Sequence, residues 1–141
     1  MDCLKIFFGD NEVVNGEVLV LDQTQIKPKY KFKAKKGEYH TIIMVDPDAP
    51  YPTDAKFKYF LHWIVVNNTD TIVPFSPPAP PSDSKPHRYY FYLYRQKDKI
   101  DVNSIKAPAE RKSFNLADFE NKYNLEDVTH IHFKTGHKIE K

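Results

Sequence analysis

The sequence predicts a mainly β protein, a sandwich or barrel, and three observations carry that prediction. Seven short apolar runs, alternating or continuous, punctuate a chain of 141 residues. The connections between them are rich in proline, asparagine and aspartate, which fix φ or hydrogen-bond their own backbone. Only one segment shows convincing helical spacing. Short strands joined by turn chemistry are the pattern of an antiparallel sandwich or barrel.

In chain order the runs are Leu4–Phe8, Glu17–Leu21, Lys29–Ala34, Thr41–Val45, Leu61–Val66, Tyr89–Tyr94 and Val128–Phe133. The third, within "KPKYKFKAKK", alternates lysine with Tyr30, Phe32 and Ala34. It reads as an edge strand whose lysines block aggregation, with a patch for an acidic partner or anionic lipid head groups as the sharper alternative. The fourth is nearly continuous in apolar residues and ends in "DPDAP". "PFSPPAPP", between the fifth and sixth runs, is a stiff ordered loop. The helix is expected around Leu116–Tyr123, capped by Asn115, with Phe119 and Tyr123 on one face. No repeat or linker divides the chain, so residues 1–141 are expected to form one domain.

Composition narrows the function classes. A hydrophobic fraction of 40% supports a folded core. The formal charge of +2, carried by 18 lysines and only 3 arginines, argues against a dedicated nucleic-acid or phosphate-clamping surface. A single cysteine, Cys3, fits a reducing compartment. With no apolar run of spanning length and no secretory leader pattern, a cytoplasmic location is expected. Four glycines, none in a phosphate-binding motif, exclude a P-loop or dinucleotide fingerprint.

Three polar residues interrupt apolar strands. Asp46 continues the face of Ile42 and Met44; His87 shares a face with Tyr89, Phe91 and Leu93, with Arg88 opposite. Simple alternation puts His62 with Ile64 and Val66, opposite Leu61, Trp63 and Val65. Singly, each histidine reads as a core residue satisfied by backbone, and each aspartate as turn chemistry. Together, beside proline-rich turns, they suggest a small pocket of one carboxylate and two imidazoles walled by Phe60, Tyr89 and prolines. Protonated imidazoles and backbone N–H groups would hold an anionic head group there, so binding is expected to strengthen on mild acidification. An acid–base pair of Asp46 with His62 or His87 is the enzymatic alternative, but no nucleophile is evident. A metal held by Asp46, His62 and His87, or by His130 and His132, has no supporting ligand motif, and no cofactor is called for.

"DPDAP" (46–50), "LHWIVVN" (61–67), the "PP" at 80–81, "HRYYFYLYRQ" (87–96) and "RKSFNLADF" (111–119) resemble the phosphatidylethanolamine-binding protein family, which includes the Raf kinase inhibitor proteins and plant flowering-time regulators. The resemblance runs from about Thr41 to about Phe133. It implies a β-sandwich with a large central sheet, one or two short helices and a pocket for phosphate or phosphorylethanolamine-type head groups. The ligand-binding residues it implies are Asp46, Phe60, His62, Pro80, His87 and Tyr89, with Pro81 at the rim and Asp48, Pro50 and Arg88 as supports. Implied partners are a phospholipid head group or other phosphate-bearing ligand and a signalling protein of kinase type, with at most peripheral membrane contact. The resemblance also suggests cis peptides at Ala49–Pro50 and Lys58–Tyr59.

Departures from the family pattern shape further expectations. Pro77 and Ala79 stand where glycines are common, which weakens backbone N–H donation. The ending "TGHKIEK" leaves no room for the C-terminal helix of many animal members, so the mouth is expected to be open and polar. Replacing His62 or His87 by alanine is expected to weaken binding with little change in melting temperature.

Overall fold

The computed structural model describes residues 4–138. Among these residues, eight strands form two antiparallel sheets. The small sheet has the order β2-β1-β3, from β1 (Lys5–Phe8), β2 (Asn11–Glu12) and β3 (Lys29–Lys31). The central sheet has the order β6-β5-β4-β7-β8, from β4 (His40–Asp46), β5 (Phe60–Val66), β6 (Asp70–Val73), β7 (His87–Gln96) and β8 (Leu125–Thr135). One α-helix, α1 (Leu116–Lys122), follows a capping bond in which Asn115 Oδ1 accepts from the Asp118 N–H at 3.0 Å. The mainly β class and the short helix therefore match expectation.

β4 lies at the middle of the central sheet and is buried along its whole length. Its alternate residues feed two cores, because both sheet faces are covered. Ile42 and Met44 join Trp63, Val65, Tyr89, Phe91 and Leu93 against Leu4, Ile6 and Phe8 of the small-sheet layer. Ile43 and Val45 join Leu61, Ile64, Val66 and Tyr94 beneath Phe114, Leu116 and Phe119. Phe133 of β8 closes the first core with rings of Phe8 and Tyr89 at centroid distances of 5.4 and 5.3 Å.

Several boundaries differ from the sequence reading. Glu17–Leu21 is not a strand: Val18 makes one isolated parallel bridge to Lys134, and a short 3-10 helix starts at Leu21. Gly16 at φ +84° turns this segment onto the edge of β8, which it follows in parallel for a few residues: the Gly16 N–H donates to the His132 carbonyl, the Lys134 N–H to the Glu17 carbonyl and the Leu19 N–H to the Lys134 carbonyl. The lysine-rich run pairs only over Lys29–Lys31, while β8 extends to eleven residues. β2 and β6 had no apolar signal of their own; Asn67 and Asn68, both at positive φ, turn the chain from β5 into β6.

A bulge on β5 matters most. Met44 pairs with Trp63 and the next β4 residue, Val45, pairs with Leu61, so His62 is skipped. Simple alternation fails there. Leu61 shares a core with Ile64 and Val66, and His62 turns toward Tyr89, with ring centroids 5.3 Å apart. Cys3 and residues 139–141, which bear on the compartment and on the chain's ending, lie outside the described residues.

Candidate functional site

Asp46 ends β4, and it and Asp48, in the turn that follows, grip two adjacent residues at the start of β7. Asp46 Oδ2 accepts from His87 Nδ1 at 2.6 Å, and Asp46 Oδ1 accepts from the Asp48 N–H at 2.7 Å. Asp48 accepts three bonds from Arg88: from the backbone N–H and Nη2 at 2.8 Å, and from Nε at 3.0 Å. Burial works to raise the Asp48 carboxyl, but the Arg88 hydrogen bonds and charge outweigh it and hold it below the usual carboxylate range. Asp48 and Arg88 thus brace the strand ends. Both Ala49–Pro50 and Lys58–Tyr59 are cis. Beyond β8, Gly136 lets the chain pack on Pro86, where a Cβ would stand 3.1 Å from the Pro86 Cα. That contact seats the residue immediately before His87.

The second ring nitrogen of His87 lies 2.9 Å from Ser84 Oγ, and the Ser84 hydroxyl donates to the Lys85 carbonyl at 2.7 Å. Both nitrogens of His87 are therefore engaged inside the protein. His62 is held differently. Its Nδ1 lies 2.6 Å from the Ser76 carbonyl, which can only accept, so Nδ1 carries the hydrogen. Nε2 is left as an acceptor without a partner among the described residues. Burial pushes the His62 imidazole down to about 4, against a raising effect from the Ser76 bond and Asp46. Burial also pushes the Tyr89 phenol up, reinforced by the neighbouring Asp46 and Asp48 carboxylates.

These side chains surround one cavity of about 180 Å³. Asp46, His62, His87 and Tyr89 line it together with Phe57, Phe60, Ala49, Pro50, Ser76, Pro77, Ala79, Pro80 and Pro81. The structure therefore brings together Asp46, Phe60, His62, Pro80, His87 and Tyr89, with Pro50 in the wall. Phe57, Ser76 and Ser84 were not anticipated: Phe57 sits in an unpatterned loop, Ser76 precedes Pro77, and Ser84 lies in a loop bounded by Pro81 and Pro86, none of them within a motif. Two larger grooves, of about 420 and 460 Å³, contain none of these buried polar groups.

Three expectations need revision. His62 does not become an imidazolium on mild acidification, so it cannot supply the positive charge expected of it. His62 and His87 are also 2% and 1% exposed with their bonds made internally, so alanine at either leaves buried groups unpaired and lowers the melting temperature. The rim is also less polar than expected, being mostly proline and phenylalanine.

Asp46, His87 and Ser84 have the spacing of a Ser–His–Asp relay. Ser84, however, is 2% exposed, directs its hydrogen to Lys85 and is not part of the cavity wall. A nucleophile must reach its substrate. The expected result with a fluorophosphonate serine probe is no labelling of the folded protein; stoichiometric labelling at Ser84 would reverse this reading. His132 instead stacks on Tyr90 at 4.7 Å, and the His130 ring lies tilted against Tyr92 at 5.5 Å. Among the described residues no group of three or more potential ligands is placed to hold a metal, and no helix is long and apolar enough to cross a membrane.

Comparison with known proteins agrees with this architecture. The family model described as phosphatidylethanolamine-binding protein matches residues 9–71 and 66–134. A phosphatidylethanolamine-binding protein homolog of Acanthamoeba polyphaga mimivirus is 39% identical over 136 residues, covering 93% of this chain and 95% of that protein. Protein FLOWERING LOCUS T of Arabidopsis thaliana is 34% identical over 131 residues, covering 86% of this chain and 72% of that protein. Among solved structures, the carboxypeptidase Y inhibitor, crystallised with its cognate proteinase, superposes with a TM-score of 0.87 at 23% identity, over 97% of this chain and 84% of its own. The phosphatidylethanolamine-binding protein of Plasmodium vivax gives a TM-score of 0.80 at 20% identity, over 97% and 86%. By motif order, fold and these matches, the chain belongs to the phosphatidylethanolamine-binding protein family.

Proposed function

We propose that this protein is a non-enzymatic binding module whose cavity receives a phosphate or phosphorylethanolamine-type head group. One observation carries the reading: strand ends and a bulge converge Asp46, His62, His87 and Tyr89 on a single cavity of about 180 Å³. That volume suits a head group and is too small for an acyl chain. Occupancy would then bias contacts with a partner protein, in keeping with the inhibitory role named for the structurally similar carboxypeptidase Y inhibitor. A kinase-type signalling partner and a cytoplasmic setting are part of this reading. Membrane contact is peripheral and salt-sensitive, through the lysines around β3. The hydrolytic alternative is disfavoured by the sealed position of Ser84.

Calorimetric titration with inorganic phosphate and phosphorylethanolamine tests the proposal. Saturable one-to-one binding is expected. Ala79 lines the cavity and is itself exposed, so Ala79→Phe should fill the mouth and reduce affinity at least tenfold without unfolding the protein. Equal affinity in that variant would place the ligand elsewhere.

A further inference from the structure

We propose that the cavity selects ligands which bring their own hydrogen, and so takes a phosphate monoester as its hydrogen-bearing monoanion in preference to the dianion. The inference rests on the head-group reading above and specifies the form of ligand that the site accepts.

Three strands of the central sheet present groups to the cavity. β4 contributes Asp46, an acceptor-only carboxylate when ionised. β5 contributes His62, whose tautomer is fixed by Ser76, so that Nε2 presents a lone pair. β7 contributes His87 and Tyr89. The two nitrogens of His87 are occupied by Asp46 and Ser84, and any charge on its ring is matched by the Asp46 carboxylate 2.6 Å away. Asp48 is saturated by Arg88. Arg111 lies near His62 but spends its guanidinium on the carbonyls of Leu61, His62 and Pro74, and it does not line the cavity.

Among the described residues, no lysine or arginine lines the cavity. Its rim includes Pro77, Pro80 and Pro81, which have no N–H. The side-chain donors that remain in the lining are neutral hydroxyls, those of Ser76 and Tyr89. A dianion placed here would set its lone pairs against Asp46 and His62 Nε2 without compensation. A P–O–H group instead donates to one of those acceptors, while its remaining oxygens use the neutral donors. Burial keeps His62 uncharged down to about pH 4, so the acceptor persists across the neutral range.

The test uses the intact protein titrated with phosphorylethanolamine from about pH 5.5 to about pH 8 at constant ionic strength, beside sulfate. A phosphate monoester loses its second proton near pH 6, so affinity is expected to fall about tenfold per pH unit above that point. Sulfate, dianionic throughout, is expected to bind at least tenfold more weakly than phosphorylethanolamine at the acidic end, at a level independent of pH. Asp46→Asn, which replaces an acceptor with an amide that can donate, should flatten the profile and admit sulfate. Sulfate affinity rising toward acid in parallel with the phosphate would show that a protein group charges, and would overturn the inference. So would phosphate affinity that is flat or increases toward pH 8. Absence of phosphate binding at every pH would overturn the proposed function itself, and this inference with it.

Discussion

Asp46→Ala is expected to destabilise the protein by about 3–5 kcal/mol, the range for removing one partner of a buried pair. Asp46 is 3% exposed and His87 1%, so the pair sits inside the protein and meets solvent only through the cavity. The substitution strands His87 Nδ1 and also frees the Asp48 N–H, which Asp46 Oδ1 accepts. It further loosens the bend that leads into Ala49 and Pro50. Urea denaturation gives the number. Asp46→Asn should cost less, because its carbonyl oxygen can still accept from the Asp48 N–H while its amide donates to His87 Nδ1 once that ring carries its hydrogen on Nε2. A cost below about 1 kcal/mol for the alanine variant would mean that His87 is held by something other than this carboxylate.

The second large effect is an acid-sensitive limb of stability carried by His62. Its imidazole is lowered from 6.5 to about 4 by burial. Between those values the unfolded chain binds a proton that the folded protein refuses. Stability is therefore lost as pH falls below about 6.5, and the loss levels off near pH 4 at about 3 kcal/mol. Asp48, lowered from 3.8, acts in a separate and more acidic window: its contribution is present above that value and lost as pH falls through its folded value. Denaturation midpoints collected from about pH 7 to about pH 4 test the His62 limb. His62→Gln, which can still donate to Ser76, should flatten it. An unchanged slope in that variant would assign the limb to another group.

The position of Asp46 was legible in the sequence because period-two alternation holds along β4, and the same holds for His87 through Leu93. His62 was legible as an anomaly but not in its direction. A one-residue bulge reverses every face assignment beyond it, and "FLHWIVVN" contains no glycine or proline to announce the bulge. The Ser84 bond to His87 was hidden for a related reason, since it depends on how a proline-bounded loop folds back. Val18 and Val20 were misread because alternating valines look like a core-facing strand wherever they occur, yet here they are 49% and 56% exposed on a segment joined to the β8 edge by a single parallel bridge. The electrostatics of the pocket could not be read at all. Residue types suggested two cationic imidazoles, whereas burial and the Ser76 carbonyl make one of them a neutral acceptor.

The most direct measurement is a heteronuclear NMR titration of the intact protein with phosphorylethanolamine near pH 5.5, following backbone and aromatic signals. Saturable shifts are expected at Phe60, His62, Ser76, Ala79, His87 and Tyr89, with the signals of β3 and of His130 and His132 unmoved. Saturating ligand that leaves the cavity signals unchanged, or that moves only the lysine-rich segment, would contradict the assignment of this cavity as the head-group site.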